Sequence, residues 1–118
     1  MSKWYWKDGR LAVDFTWHDT DFPRWKEAMD KMEKRLGDYE YKVVKKTHCK
    51  NGYEVSTVWM GLDHNWMGGQ PMIFETMVFS KDGGGYMERY STESEARAGH
   101  KRIVNSWKNK KYKENNED

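Results

Sequence analysis

Aliphatic side chains are scarce in this sequence, which limits the kind of hydrophobic core that the chain can build. Leu, Ile, Val and Phe together make up only 16 of the 118 residues, a share below the roughly 20% at which disorder becomes a real alternative. Disordered chains of this kind usually carry a large net charge, whereas 21 basic and 19 acidic residues leave only +2 here. Eight Met, seven Trp and seven Tyr supply the missing apolar area. The sequence therefore predicts a folded domain whose core is built from aromatic rings and thioethers.

Several classes of protein are excluded by what the sequence lacks. No stretch approaches the roughly 18 consecutive apolar residues of a membrane span, and the first residues lack the apolar run of a secretory signal. We therefore expect a cytoplasmic protein with no membrane association. Its single cysteine, Cys49, can form neither an internal disulfide nor a thiolate zinc site. Neither a P-loop nor a G-x-G-x-x-G motif is present, and we expect no cofactor.

Charge is distributed unevenly along the chain. Residues 23–50 carry nine basic and five acidic side chains, whereas residues 51–90 hold only seven of the 40 charges. A segment that avoids charge is the one that a folded domain most readily buries. Residues 51–90 are therefore predicted to form the buried centre, and a charge inside this segment needs a partner or a function.

Hydrophobic periodicity and turn residues predict the order of the elements. Asp8-Gly9 and Asn51-Gly52 are typical of tight hairpin turns, and Gly83–Gly85 indicates a turn between two later strands. The first helix ends at Gly37, and Thr92 with Glu95 forms a capping box for the last helix. The predicted elements are a hairpin at 3–15, a helix at 22–36, strands at 39–48, 53–60, 72–79 and 86–90, and a helix from 93 to 107.

This order predicts an α+β fold. We expect an antiparallel four-stranded meander, with an N-terminal hairpin and two helices packed on one face of the sheet. Residues 1–107 form the single domain, and residues 108–118 form a polar tail that we expect to be disordered. The second face of the sheet is then solvated, covered by the hairpin, or buried against another subunit. The many aromatic residues favour burial, and hence a homo-oligomer.

The glycine-bounded loop at residues 61–71 is the first candidate site. Its glycines permit unusual backbone angles around Asp63, His64, Asn65 and Trp66. Three interpretations remain open: these residues stabilise a turn, contact a ligand, or take part in catalysis or metal binding. No nucleophile elbow and no metal-ligand spacing accompanies them, so no catalytic residue and no metal ligand is assigned.

Glu75 is the second candidate, because it lies within the most apolar run of the chain, residues 72–79. An unpaired carboxylate on a buried strand is costly. The hairpin that follows brings Arg89 close to Glu75, so we expect a contact between the two side chains. Such a pair is either a structural ion pair or part of a ligand site, with acid or base catalysis a weaker alternative.

Aromatic residues with basic neighbours form a third signal. Aromatic rings stack on nucleobases and cations neutralise phosphates, so a nucleotide or a single-stranded nucleic acid is a natural ligand class. Most of these aromatic residues also occupy inward positions and belong first to the core. The basic neighbours are Lys3, Lys7, Arg10, Lys42, Lys45 and Lys46.

Three motifs carry a resemblance to known sequences. They are Val55-Ser56-Thr57-Val58-Trp59-Met60-Gly61-Leu62-Asp63-His64, Phe74-Glu75-Thr76-Met77-Val78-Phe79, and Glu88-Arg89-Tyr90-Ser91-Thr92 followed by Ala98-Gly99-His100. In this order the chain resembles a family of small, uncharacterised phage and prophage proteins, over roughly residues 53–104. The resemblance implies a viral origin and, in that case, a location in the host cytosol. It implies no activity.

Small phage proteins without a catalytic signature often act by binding. The leading expectation is therefore a non-enzymatic, oligomeric counter-defence sponge that sequesters a nucleotide immune signal. Trp59 or Trp66 would stack on a base, Asp63 and Glu75 would accept hydrogen bonds, and His64, Asn65 and Arg89 would donate them. Two alternatives remain: an inhibitor that binds a host protein, and a small metal-assisted hydrolase that acts on a nucleotide.

Overall fold

The computed structural model describes residues 3–14, 22–65, 68–80 and 83–109, and within them it confirms the predicted α+β class. A two-stranded hairpin precedes an antiparallel four-stranded sheet, whose strands are neighbours in chain order. The elements are β1 (Lys3–Tyr5), β2 (Leu11–Asp14), α1 (Phe22–Leu36), α2 (Tyr39–Lys42), β3 (Val43–His48), β4 (Glu54–Trp59), β5 (Phe74–Ser80), β6 (Gly83–Tyr90) and α3 (Glu93–Trp107). None of these described helices is long and apolar enough to cross a membrane.

Both predicted hairpin turns occur, but each loop has three residues instead of two. In the first, the Gly9 amide donates to the Trp6 carbonyl and the Trp6 amide to the Arg10 carbonyl, with Gly9 at φ 94°. The loop from Cys49 to Tyr53 repeats this pattern, with Gly52 at φ 101°. A turn followed by a left-handed glycine is the usual way to close a three-residue hairpin loop.

The strand predicted from residue 39 starts only at residue 43. Residues 39–42 form the single helical turn α2, whose N-cap is Asp38. The Asp38 carboxylate accepts from the Tyr41 amide at 3.2 Å, and this local bond competes with strand formation. As a result, the Tyr41 ring meets Trp59 edge-on, with ring centroids 5.5 Å apart.

The prediction of a turn at Gly83–Gly85 is also wrong. These residues belong to β6, where Gly83 is opposite Ser80 and Gly84 is opposite Phe79, next to a register shift at Val78 and Phe79. The strand is therefore longer than its side-chain pattern predicts, because the backbone of these glycines pairs with the end of β5.

The core lies between the four-stranded sheet, α1, α3 and the hairpin. Helix α3 packs across all four strands, and α1 packs on β2 and α2. Strand β1 lies beside the residues that follow β4, where the Tyr5 amide donates to the Gly61 carbonyl. The largest side chains that are fully buried are Trp59, Phe74, Met32, Ile73 and Ile103. The core is thus centred on an indole, a phenyl ring and a thioether.

The opposite face of the sheet remains open, because no described element packs against it. Its middle carries Met77 and Met87, which face each other across β5 and β6. Phe79 and Met87 are 37% and 45% exposed. This open face, formed by alternate residues of β3 to β6, is the face predicted to be solvated, covered by the hairpin or buried against another subunit; the described part of the hairpin does not cover it.

Candidate functional site

The loop after β4 uses its polar side chains to hold its own backbone. One oxygen of Asp63 accepts from the Asn65 and Met72 amides at 2.8 and 2.9 Å, and the Asn65 side chain donates to the Gln70 carbonyl at 2.8 Å. The His64 amide donates to the Met72 carbonyl, while His64 Nδ1 is buried without a partner among the described residues. These contacts agree with the first of the three interpretations, in which the polar residues of the loop stabilise a turn.

The two tryptophans of the predicted site have different outcomes. Trp59 is completely buried, and its indole Nε1 donates to the Tyr5 carbonyl at 3.1 Å. A ring enclosed in this way has no open face for a base, so we assign Trp59 to the core. Trp66, the other stacking candidate, lies outside the described residues.

Glu75 and Arg89 form the expected contact. They are directly opposite each other on β5 and β6, with Arg89 Nε 3.1 Å from Glu75 Oε2. The pair lies on the open face, with side-chain exposures of 35% for Arg89 and 15% for Glu75. The expected buried carboxylate is therefore partly buried, and Arg89 supplies the partner that its charge needs. In the described part of the chain, no hydrogen bond or ion pair joins it to Asp63, His64 or Asn65.

A concavity lies between the β1–β2 loop, α1 and α2. We call it the hairpin groove, and its volume is about 1010 Å³. Ten residues line it: Trp6, Lys7, Asp8, Arg10, Lys31, Lys34, Arg35, Asp38, Tyr41 and Glu93. The groove thus combines two aromatic residues with five basic and three acidic ones.

Tyr41 is the centre of the hairpin groove. The Lys7 ammonium lies 4.7 Å from the ring centroid and the Arg35 guanidinium 4.5 Å from it. Lys7 also donates to the Tyr41 carbonyl at 2.7 Å. Two cations are therefore held in place by one tyrosine, in positions where each gains a cation–π interaction. The short helix α2 creates this arrangement, because its single turn directs Tyr41 between the hairpin and α1.

The charges of the hairpin groove are unevenly compensated. Asp8 pairs with Arg10 at 2.7 Å, and the Arg10 backbone amide and guanidinium lower the pKa of Asp8. By contrast, Lys7, Lys34 and Arg35 form no ion pair with a carboxylate in the described ranges of the chain. Because the lining holds two more basic than acidic side chains, the groove attracts anions.

A second, smaller groove lies between β3 and α3, and we call it the β3–α3 groove. Its volume is about 310 Å³. Its lining contains no carboxylate and consists of Lys45, Thr47, Arg97, His100, Lys101, Val104 and Asn105. The basic residues of α3 are four residues apart, so they share one flank of the helix.

His100 closes the floor of the β3–α3 groove and is only 3% exposed. Its Nε2 lies 2.9 Å from Thr47 Oγ1 and its Nδ1 lies 2.7 Å from Thr57 Oγ1. Thr57 Oγ1 is in turn 2.5 Å from Thr76 Oγ1. A chain of hydroxyl groups therefore fixes the imidazole through both nitrogens, and each hydroxyl can donate or accept.

We expect His100 to make stability depend on pH. Burial, and to a lesser extent the Lys45 ammonium, lower the pKa of His100 from 6.5. The unfolded chain regains the ordinary pKa, so below pH 6.5 it takes up a proton that the folded protein does not. The free energy of unfolding should therefore fall as the pH drops from about 6.5 towards the lower, folded pKa.

Urea unfolding between pH 8 and pH 5 measures this effect. The variant His100→Gln should lose much of the decrease, whereas His48→Gln should retain it, because the His48 side chain is 73% exposed. Ring-proton NMR gives the titration midpoint of His100 directly. A midpoint at or above 6.5 would contradict the prediction.

Sequence reasoning missed both grooves because their linings come from segments that are remote in the chain. One signal was available, however. Of the basic residues noted beside aromatic ones, Lys7 and Arg10 line the hairpin groove and Lys45 lines the β3–α3 groove. The excess of basic residues in 23–50 likewise marks the segment that supplies α1, α2 and β3.

The two grooves and the open sheet face are the features on which we argue a function; a third concavity, of about 830 Å³, has Arg89 in its lining. Within the described ranges, no three His, Cys, Asp or Glu side chains come together in a metal-binding arrangement. Asp63, His64 and Glu75 therefore do not form such a group. In comparisons with known proteins, no protein-family model, no curated protein and no solved structure matches the chain.

Proposed function

We propose that this protein is a non-enzymatic binding protein for a nucleotide-type ligand and that the hairpin groove is its binding site. The observation that carries the proposal is the placement of Lys7 and Arg35 against Tyr41, beside Lys34 and Trp6. Phosphates would be neutralised by cations that lack a carboxylate partner, and a base has Trp6 to stack on. Trp6 is only partly buried, as a stacking surface must be.

This site replaces the predicted one as the location of the ligand. Asp63 and Asn65 are occupied by the loop backbone, and Trp59 is enclosed in the core. The ligand class is unchanged, since it depends on aromatic rings next to cations and not on the loop. A sponge acting in the cytosol, of the host if the chain is viral, remains the biological role that we propose.

Calorimetric titration with cyclic di- and trinucleotides and cyclic ADP-ribose isomers tests the proposal. We expect at least one of them to bind with a Kd below roughly 10 μM. The double variant Lys34→Ala/Arg35→Ala should weaken that binding tenfold or more, because hydrogen bonds to charged groups contribute about 1.5–3 kcal/mol each. Titrations at two salt concentrations should show weaker binding at the higher one.

Lys26→Ala serves as the matched control. Lys26 lies on the same helix, pairs with Asp30 at 3.0 Å and does not line the groove. The Lys26→Ala variant should bind the nucleotide with an affinity within twofold of that of the wild type. The proposal would be contradicted if no nucleotide of the panel binds. It would also be contradicted if the control and the double variant lose affinity equally.

A host-protein inhibitor is the second candidate, and the open sheet face favours it. Met77, Met87 and Phe79 form an apolar strip there, and Met side chains adapt to different partners. Affinity purification from host lysate with wild-type protein and the variant Phe79→Asp/Met87→Asp separates the two candidates. A partner that only the wild type retains supports an inhibitor. Size-exclusion chromatography of the same pair tests whether a second copy of this chain occupies the face instead.

A further inference from the structure

The hairpin groove and the β3–α3 groove adjoin at the first turn of α3. Glu93 lines the hairpin groove, and its Oε2 accepts from Arg97 Nε at 3.0 Å and from Nη2 at 2.7 Å. Arg97 in turn lines the β3–α3 groove. The two residues are one helical turn apart, a rise of about 6 Å. One ion pair is therefore shared between the two linings.

The β3–α3 groove has the electrostatic character of an anion site. Lys45 and Lys101 approach it from opposite walls, and neither forms an ion pair with a carboxylate among the described residues. Arg97 adds a guanidinium to the lining; its side chain is 56% exposed and pairs with Glu93. Asn105 adds amide donors on the same flank of α3. An oxyanion in this groove would meet donors and positive charge, and the Glu93 carboxylate competes for Arg97 but not for Lys45 or Lys101.

The floor of the β3–α3 groove is preorganised. His100 is held by Thr47 and Thr57, so its ring does not need to move when the groove is filled. Burial is the main reason that the pKa of His100 is lowered, and the nearby Lys45 ammonium lowers it further. A bound anion would supply the missing counter-charge to Lys45. Fixed donors around an unbalanced charge favour binding because little ordering is required.

We infer that the β3–α3 groove binds a second anionic group of the same ligand, so that the ligand carries two separated phosphates, as in a dinucleotide. This inference rests on the proposed function and narrows its ligand class. One phosphate contacts Lys34 and Arg35 in the hairpin groove, and the other contacts Lys45 and Lys101. The Glu93–Arg97 pair lies between them, where Arg97 can contact the connecting part of the ligand.

Titrations with adenosine monophosphate and the linear dinucleotide pApA test the inference. We expect pApA to bind about tenfold more tightly than the mononucleotide, which corresponds to about 1.4 kcal/mol. The variant Lys45→Ala/Lys101→Ala should abolish most of that difference and leave mononucleotide affinity within twofold. The slope of log K against log salt for pApA should decrease by about 0.7 for each lost phosphate contact. Cyclic di-AMP, measured in parallel, distinguishes a cyclic from a linear ligand.

Lys26→Ala/Lys50→Ala is the matched control, because it removes the same charge from residues outside both linings. Mononucleotide binding without a gain for pApA would overturn the inference and leave the hairpin groove as a site. Equal losses of both ligands in the Lys45/Lys101 variant would also overturn it. If neither ligand binds, the proposed function and the inference both fail.

An independent measurement uses inorganic pyrophosphate and needs no nucleotide. Pyrophosphate added to the wild-type protein should shift the ring-proton NMR signals of His100, whereas those of the exposed His48 should stay constant. The Lys45→Ala/Lys101→Ala variant should not show the His100 shift. Equal shifts at both histidines would indicate only a general ionic effect and would count against a second anion site.

Discussion

Replacing Trp59 with alanine should lower the free energy of unfolding by about 3–5 kcal/mol, the usual cost of removing a large aromatic side chain from a core. Among the described residues, Trp59 is the largest fully buried side chain, and it links its own strand to two other elements. Its ring meets Tyr41 of α2, its Nε1 bonds the Tyr5 carbonyl of β1, and it lies at the end of β4. Its loss should therefore loosen both the hairpin and α2, and with them the hairpin groove.

Urea unfolding followed by circular dichroism measures this loss, with Phe79→Ala as the control. Phe79 lies on the open sheet face and is 37% exposed, so its truncation should cost far less. The variant Trp59→Phe distinguishes a core role from the predicted stacking role. It should destabilise the fold yet leave nucleotide affinity within twofold, provided that binding is measured where the variant is folded. A large selective loss of affinity in Trp59→Phe would restore Trp59 to the ligand site.

Gly99→Ala should destabilise the protein by about 1–3 kcal/mol, although alanine usually strengthens a helix interior. Gly99 is in the middle of α3 and is buried. A Cβ at this position would be closer to the Tyr90 ring and hydroxyl than real Cβ atoms come to their neighbours. Tyr90 is itself 8% exposed, and its burial raises the pKa of its hydroxyl to about 12. Neither the helix nor the ring can withdraw without opening the core.

In a protein that already carries Tyr90→Ala, we expect Gly99→Ala to have the opposite effect on stability. With the ring removed, Gly99→Ala should stabilise the helix by roughly 0.5–1 kcal/mol, the ordinary difference between the two residues. Ala98→Gly, at the exposed neighbouring position, should cost a similar amount in the wild type. The four unfolding free energies of the double-mutant cycle give the coupling between residues 90 and 99. Additive effects would show that the ring does not restrict Gly99.

Local patterns were sufficient to predict most of the architecture. Thr92 and Glu95 form the predicted capping box, in which each side chain bonds the other residue's backbone amide, and α3 begins at Glu93. Both Gly-containing turns were identified from two residues each, although the loop length was wrong. The Glu75–Arg89 contact followed from counting positions outwards from a turn. These features depend on neighbours in sequence or on a single strand pairing.

The errors arose where a local bond or a distant partner decides the structure. Asp38 caps a helical turn inside a segment whose alternating pattern is typical of a strand. Gly84 belongs to a strand because β5 pairs with it, which its own side chain does not indicate. The carboxylate of Asp63 is occupied by two backbone amides, one of them nine residues away. The grooves depend on tertiary contacts throughout, so only their basic residues could be noticed in advance.

The assembly of each groove from remote segments also links ligand binding to the folding equilibrium. The hairpin groove takes residues from the β1–β2 loop, α1, α2 and α3, so an unfolded chain offers no such site. A ligand present at 100 times its Kd would then add about 2.7 kcal/mol to the free energy of unfolding. In a cell that degrades unfolded chains, the protein would persist longest where a ligand of the groove accumulates, and its abundance would follow the concentration of that ligand.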